Sequence, residues 1–579
     1  MINKNIINII TYVKAMLNHY CHAQAAFGGI ILLFFFSLGL VQISWALPEG
    51  QEVVSGSASF DQADPSTLNI TASDHSIIQY DSFNIAANET VNFIMPSVDS
   101  FSLNRVLGSQ SSEILGQLFA NGNLILVNPN GIHFAQSAQV NVGSLIASTQ
   151  DLLNQNFLNG QYIFAGTNNP NAFLHNEGRI KTRDGGFAVL AADAVKNTGV
   201  IEAPLGTVSI AGGRLITVGI TADGLVSVAI DEATAQTIMD NNGSPLSTQL
   251  ENTGTLSGAK VQLNAQSALQ VFQSAINQSG IVRANGVQIG SDGVVEITAN
   301  GLIQSYGSVS AKSIRVQSSF DVKVHGSYDN KGGSTLFGAG HDLEVDGLTQ
   351  TIGHTTFEAK NDILVNADVT TDSGNLSFLA DSDLDGVGRF LQASNTTLKT
   401  TTFGDITIQS SGESALANIE SAGDLTLKQA GAPAHYTQSP GSSVETGGSL
   451  NIGTGVTLSA SNAVLSVAKD WNNLGVFEAG TSLVKLSGPL DAKVMGDNTF
   501  YDLAVIESQK KVEFEADKTQ VVNGVLTLQG QHGKLISLSS TNSEIPWKIN
   551  LLGSYTIEYA NIQGSTNVNI HGPPVLALH

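Results

Sequence analysis

NGNLILVNPNGIHFAQSAQVNVGSLIAST, residues 121–149, sets out a strand, a tight turn and the strands that follow it. Leu124 to Val127 is a short apolar run with turn residues on both sides, the pattern of a buried strand. Asn128-Pro129-Asn130-Gly131 comes directly after. Pro129 brings a φ already fixed, Asn stands on each side of it and Gly131 closes the quartet, a composition suited to a β-turn. Ile132 and Phe134 resume the apolar face, which Val140, Val142, Leu145 and Ala147 extend. By spacing alone this is a well-built corner between strands.

Beyond that corner the chain repeats itself. Asn-x-Gly-x-apolar occurs at Asn176, Asn197, Asn252 and Asn473, and a turn residue followed by Asp or Asn, Leu or Ile, x and an apolar residue occurs at Asp342, Asp362, Asn375, Asp405 and Asp424. Asn176 to Asn197 is 21 residues, Asp342 to Asp362 is 20 and Asp405 to Asp424 is 19. A period near twenty with short strands predicts a parallel β-helix. Stacked β-sandwiches space their strands every 8–12 residues but do not return a turn residue every twenty. The irregular gap from Asn375 to Asp405 predicts a loop projecting from a rung. From Val484 onward the aromatic content changes, with Trp547, Tyr555 and Tyr559, while Tyr555 to Ile562 still reads as a strand pair. Pro573-Pro574 does not suit a central strand.

Composition fits many strands and turns. Of 579 residues 13% are charged and 59 are Gly, against about 25% charged in typical globular chains. The net charge of −23 argues against nucleic acid and against unspecific binding to anionic membranes. Cys21 is the single cysteine, so the chain has no disulfide framework and no thiolate metal cluster. Ala25 to Ala46 is uncharged and largely apolar, with Lys4 and Lys14 ahead of it and Ser44-Trp45-Ala46 at its end. This reads as a signal peptide with an extended n-region, cleaved after Ala46; an uncleaved anchor is the rival, since the run could span a bilayer.

Tyr80-Asp81-Ser82-Phe83-Asn84-Ile85 and Phe101-Ser102-Leu103-Asn104-Arg105-Val106 precede the corner. Together with Asn128 to Ile132 and the segment ending VNVGSLIAST, they resemble, in order, the motifs of the secretion domain of two-partner-secretion exoproteins, the filamentous-haemagglutinin-like family. The resemblance runs from about Leu47 to Gly219. It implies an all-β chain: a right-handed parallel β-helix, a single-stranded solenoid with projecting loops and an N-terminal β cap. It also implies a Gram-negative source and export via the periplasm through an outer-membrane transporter barrel whose periplasmic partner domains capture the secretion domain. The product is then secreted or displayed at the cell surface, most often as an adhesin for a host or bacterial receptor. Asn104, Arg105 and Val106 with Asn128, Pro129, Asn130, Gly131 and Ile132 are expected to shape the segment the transporter recognises. The domains are then 1–46 (signal peptide), 47–290 (secretion domain), 291–483 (β-helix repeats with loops) and 484–579 (C-terminal strands).

The remaining candidate sites are few. Asp342, Asp362, Asp405 and Asp424 would be a row of rung corners or an acidic groove of a polysaccharide-active enzyme; no Arg or Lys stands regularly beside them. The histidines show no zinc spacing, and His133 beside the key turn reads as solvent-exposed. Asp381, Asp383 and Asp385, followed by Gly386, match the opening of a calcium loop, although position twelve is Gln392 rather than an acidic residue. Calcium is the one cofactor the sequence suggests, and no reaction is required. A cytolysin or haem-acquisition exoprotein would use the same export route; a toxin carrier would need a distinct C-terminal effector, where this chain continues as strands.

Overall fold

The computed structural model describes residues 47–167, 169–221, 226–240, 242–268, 270–285 and 293–568. The apolar run 25–46 with its cleavage point, Cys21, the boundary at 290 and Pro573-Pro574 lie outside them. Leu47–His579 forms one unit, and its described part is a parallel β-solenoid of about 22 turns. At about 4.8 Å between hydrogen-bonded strands, the stack extends on the order of 100 Å.

Three strands form a rung, and each stacks in register on its equivalent one rung away. On the first face Leu124, Leu145, Ala188 and Val208 lie side by side. On the third face Val91, Leu118, Val140, Ile180 and Ile201 do so. Side chains alternate across a strand, so the inward set forms continuous apolar columns that are fully buried. Burying one such Val, Leu or Ile contributes about 1.5–3 kcal/mol. Aromatic residues stack in the same way, with the rings of Phe337, Phe357 and Phe378 4.9–5.1 Å apart.

The open end is closed by reversed strands. Glu52–Ser55 pairs antiparallel with Ser76–Tyr80, the first strand of face one, and Ala58–Asp64 pairs antiparallel with Thr67–Ala72, the first of face three. Each cap strand covers an edge that would otherwise offer unpaired N–H and C=O groups to another chain.

The two sequence repeats are two kinds of polar ladder. In the Asn-x-Gly corner the asparagine points inward and is fully buried. Asn176 Nδ2 donates to Asn197 Oδ1 at 2.7 Å, Asn197 Nδ2 to Asn252 Oδ1 at 2.7 Å and Asn252 Nδ2 to Gln278 Oε1 at 2.6 Å. The glycine two residues on is required by close approach: a Cβ on Gly199 would sit 2.2 Å from Gly178 O, and one on Gly254 2.1 Å from Gly199 O. The aspartates occupy two other corners. Asp321 and Asp342 each accept the backbone N–H of the equivalent residue one rung on, Asp342 and Asp362, and Asn375 and Asp405 do the same for Asp405 and Asp424. These carboxylates are rung staples.

One element has no trace in the repeats. Asp151–Leu152, Tyr162–Ala165, Leu215–Ile220 and Val226–Glu232 form a four-stranded antiparallel sheet outside the solenoid, with a short helix at Asn154–Leu158. It lies over the outer side of face one. Ile77, Leu103, Ile125, Ile146 and Val189 pack there against Phe157, Phe164, Ile216 and Val218 in a second core. Asn123–Val127 and Ser144–Ser148 are therefore buried on both sides, which is why Leu124 to Val127 is apolar without alternation.

The parallel stacking continues past Val484 without a change of fold: Val484 pairs with Leu503 and Leu503 with Leu526. The aromatic residues there fill the interior, Trp547 stacking 4.1 Å from Phe514. The gap between Asn375 and Asp405 is a loop from Ala380 to Arg389 between Leu376–Leu379 and Phe390–Gln392.

Candidate functional site

The Asn128 to Gly131 quartet is a closed β-turn. Gly131 N–H donates to Asn128 O at 3.1 Å, and Asn130 N–H donates to Asn128 Oδ1 at 2.9 Å. Asn128 is fully buried; its Nδ2 donates to Gln110 O and to Ser112 Oγ, each at 3.0 Å. Asn130 Nδ2 reaches Gly108 O at 2.7 Å. From the other side Asn169 Nδ2 donates to Pro129 O at 3.0 Å. The corner thus ties its own rung to the segment below at 108–112, which leads into the strand Ser112–Ile114, and to the segment above at Asn169. Gly131 has φ +115°, and a Cβ there would lie 3.1 Å from Phe173 O, so glycine is required by both conformation and space. Ile132 is buried in the core. Pro129 and Asn130 alone among these five residues are half-exposed.

Asn104, Arg105 and Val106 are all buried. Asn104 faces inward and accepts the hydroxyl hydrogen of Tyr80 at 2.9 Å; burial holds the Tyr80 phenol well above its usual pKa, so it stays a donor. Arg105 faces outward beneath the antiparallel sheet. Its Nε donates to Asp151 Oδ1 and its Nη1 to Asn154 Oδ1, both at 2.7 Å, and its Nη2 meets Leu152 O. One guanidinium therefore pins the first strand of the outer sheet to face one. Phe83, Asn84 and Ile85 open face two: Asn84 Oδ1 accepts Glu113 N–H at 2.8 Å, and Ile85 O accepts Leu115 N–H at 2.7 Å.

Asp381, Asp383 and Asp385 come together, with a carboxylate oxygen of each within 4.8 Å of the others. Asp381 is fully buried, and its carboxylate accepts Gly431 N–H at 2.9 Å, Gly386 N–H at 3.2 Å and the Ser411 hydroxyl. It closes the loop on itself, while Asp383 and Asp385 are exposed.

His133, read from the sequence as solvent-exposed, is instead enclosed. Its Nδ1 lies 2.7 Å from Glu113 Oε2 and its Nε2 3.2 Å from Glu177 Oε2. The ring of His175 stacks on it at 5.3 Å, with the planes 13° apart. Glu113 raises the pKa of His133, whereas burial lowers that of His175. No local spacing announces this cluster, because 20 and 42 residues separate its members and only rung stacking joins them.

Residues 46–311 match the family model of the TPS secretion domain. A heme/hemopexin-binding protein of Haemophilus influenzae strain Rd is 34% identical over 223 residues, which is 34% of this chain and 22% of that protein. A second heme/hemopexin-binding protein of Haemophilus influenzae is 36% identical over 106 residues, 18% of this chain and 11% of that protein. The chain thus spans well under two thirds of either relative. The crystal structure of the HMW1 secretion domain from Haemophilus influenzae is similar with a TM-score of 0.31 and 17% identity, covering 90% of this chain and 99% of that one. The corner at Asn128, the Asn104 to Val106 strand and the capped first rungs all fall inside 46–311, and that segment of the chain is a TPS secretion domain, the domain of two-partner-secretion exoproteins.

Proposed function

We propose that this chain is exported across the outer membrane by a dedicated transporter barrel, whose periplasmic domains capture residues 46–311, and that it acts at or beyond the cell surface as an adhesin. The observation that carries the reading is the secretion domain itself, seated on capped rungs of a solenoid whose outer faces offer long flat ladders to a macromolecular partner. The net charge of −23 favours partners that present positive charge. The role is one of binding rather than catalysis. Asp342, Asp405 and Asp424 are committed to backbone N–H groups, and Asp362 is paired with Arg389 at 2.6 Å. Ser459 Oγ lies 2.8 Å from His435 Nε2, whose Nδ1 faces Glu413 at 3.0 Å. That serine nevertheless donates to Glu478, and the N–H of Ala460 is taken by Glu478 O, so an acyl transfer there would lack this donor for its oxyanion. The test is export of the full chain with and without its cognate transporter. Accumulation in the periplasm when the transporter is deleted supports the reading, and equal release in both strains overturns it.

The names of the two relatives favour a second reading, capture of haem or of a haem-carrying protein. Immobilised haemin and hemopexin separate it from adhesion: retention of the purified chain on either, with no binding to host cells, would replace adhesion by haem acquisition.

A further inference from the structure

We propose that His133, His175 and Glu177 form a binding site for a divalent transition cation of the zinc class, with Glu113 orienting His133. The proposal is independent of the export reading. His133 and His175 stand in register on neighbouring strands, as do Glu113 and His133, so the imidazoles project from adjacent rungs. Glu177 belongs to the Asn-x-Gly corner directly after His175. The middle residue of that corner is Thr198 and Thr253 in the rungs that follow; here it is a carboxylate, beside both rings.

The donor set suits such a cation. One ligand atom from each of His133, His175 and Glu177 lies within 4.8 Å of the other two. Zinc binds imidazole nitrogen and carboxylate oxygen at about 2.0–2.2 Å, so the donors need close by up to about 1.5 Å. Glu177, part-exposed at a corner, can swing to do so. His175 Nε2 is buried, has no hydrogen-bond partner among the described residues and lies 3.8 Å from Glu177 Oε1. Glu113 holds His133 through Nδ1 at 2.7 Å, the carboxylate–histidine arrangement that fixes which nitrogen faces a metal. Two imidazoles and one carboxylate match the borderline ligands zinc accepts. The bound cation would join the rungs carrying Glu113, His133 and His175 immediately beyond the Asn128 turn.

Zinc chloride titrated calorimetrically into the purified full chain tests this, with cobalt(II) as the optical probe of a four-coordinate site. The expected result is one equivalent bound, visible absorption with cobalt, and a higher melting temperature. Glu177→Gln should abolish that equivalent without changing melting in zinc-free buffer. Glu113→Gln should weaken it about 10- to 100-fold. His341→Gln, in the cluster with Asp321 and Asp342, should leave it unchanged. No saturable uptake by the wild-type chain, or undiminished uptake in both Glu177→Gln and a His133→Gln/His175→Gln double variant, would overturn the proposal. If the double variant fails to fold, Glu177→Gln alone decides.

Discussion

Asn128→Ala is the sharpest probe of the corner. The amide makes three hydrogen bonds of 3.0 Å or less, Nδ2 to Gln110 O, Nδ2 to Ser112 Oγ and Oδ1 from Asn130 N–H, and a longer fourth in which Oδ1 accepts Asn130 Nδ2 at 3.4 Å. Each contributes about 1 kcal/mol net, and a partner left unsatisfied in the interior costs about 1–3 kcal/mol more. Asn128 and Ser112 are fully buried, so water does not replace the lost donor. For the three shorter bonds the sum is about 4–6 kcal/mol. Because rungs contact only their neighbours, the loss should be confined to residues 108–134. Amide hydrogen exchange measures this directly as the free energy of local opening. Pro129→Gly is the control. Its side chain has no hydrogen-bonding group, and Pro129 O keeps the Asn169 amide, so the change should cost about 1 kcal/mol through unfolded-chain entropy. Protection of 108–134 within 0.5 kcal/mol of wild type in Asn128→Ala, on the order of surface substitutions, would refute the reasoning. So would a loss spread evenly to the rungs beyond Leu425.

Arg105→Met keeps the aliphatic packing and removes the donors to Asp151, Asn154 and Leu152; a cost of about 2–4 kcal/mol should appear as faster proteolysis between Leu153 and Gln161, the solenoid ladders staying protected. Asp381→Ala should destabilise the loop at Ala380 to Arg389 by about 3–5 kcal/mol, equally in calcium and in chelator, because its carboxylate is held by protein donors; melting in both buffers checks it. Burial raises the pKa of Asp193, against the Thr234 hydroxyl bond that lowers it. The folded state therefore holds this proton more tightly than the unfolded chain, and the penalty for its charge appears as pH rises from the unfolded value, about 3.9, through the raised folded one. Asp193→Asn should accordingly be more stable than wild type at pH 7, with the advantage shrinking to nothing below about pH 4, in paired denaturant titrations.

The solenoid was legible wherever one rung repeats the chemistry of the next. The asparagines at 176, 197 and 252 recur because each amide must meet its neighbour's, and the glycines follow because the backbones approach within van der Waals distance. Asp342 and Asp405 recur because each caps the next corner. What could not be read has a common cause in distance along the chain. The outer antiparallel sheet draws its strands from residues 151 to 232 with rungs of the solenoid between them, so no period marks it. His133 and His175 lie on adjacent rungs only because Asp151 to Asn171 leaves the solenoid and returns; a search for local ligand spacing passes over them. The change of composition after Val484 reflects larger interior side chains such as Trp547, and the stacking itself does not alter.

Burial changes what the motif residues can mean. Asn104, Val106, Asn128 and Ile132 have almost no accessible surface, and Arg105 is covered by the outer sheet. In the folded domain a partner cannot read these side chains without opening a rung, so their first-order role is to hold register and close corners. A substitution such as Asn104→Leu acts on folding before it acts on any contact, and an export defect from it would not by itself locate a recognition surface. Pro129 and Asn130 differ, being half-exposed at the tip of the turn. Even there Asn130 also bonds Gly108 O, so Asn130→Ile removes a staple together with a surface group. Pro129→Gly changes the exposed tip while leaving its carbonyl available to Asn169. Its effect on export, compared with its small effect on local opening, is therefore the cleaner separation of recognition from folding at this corner.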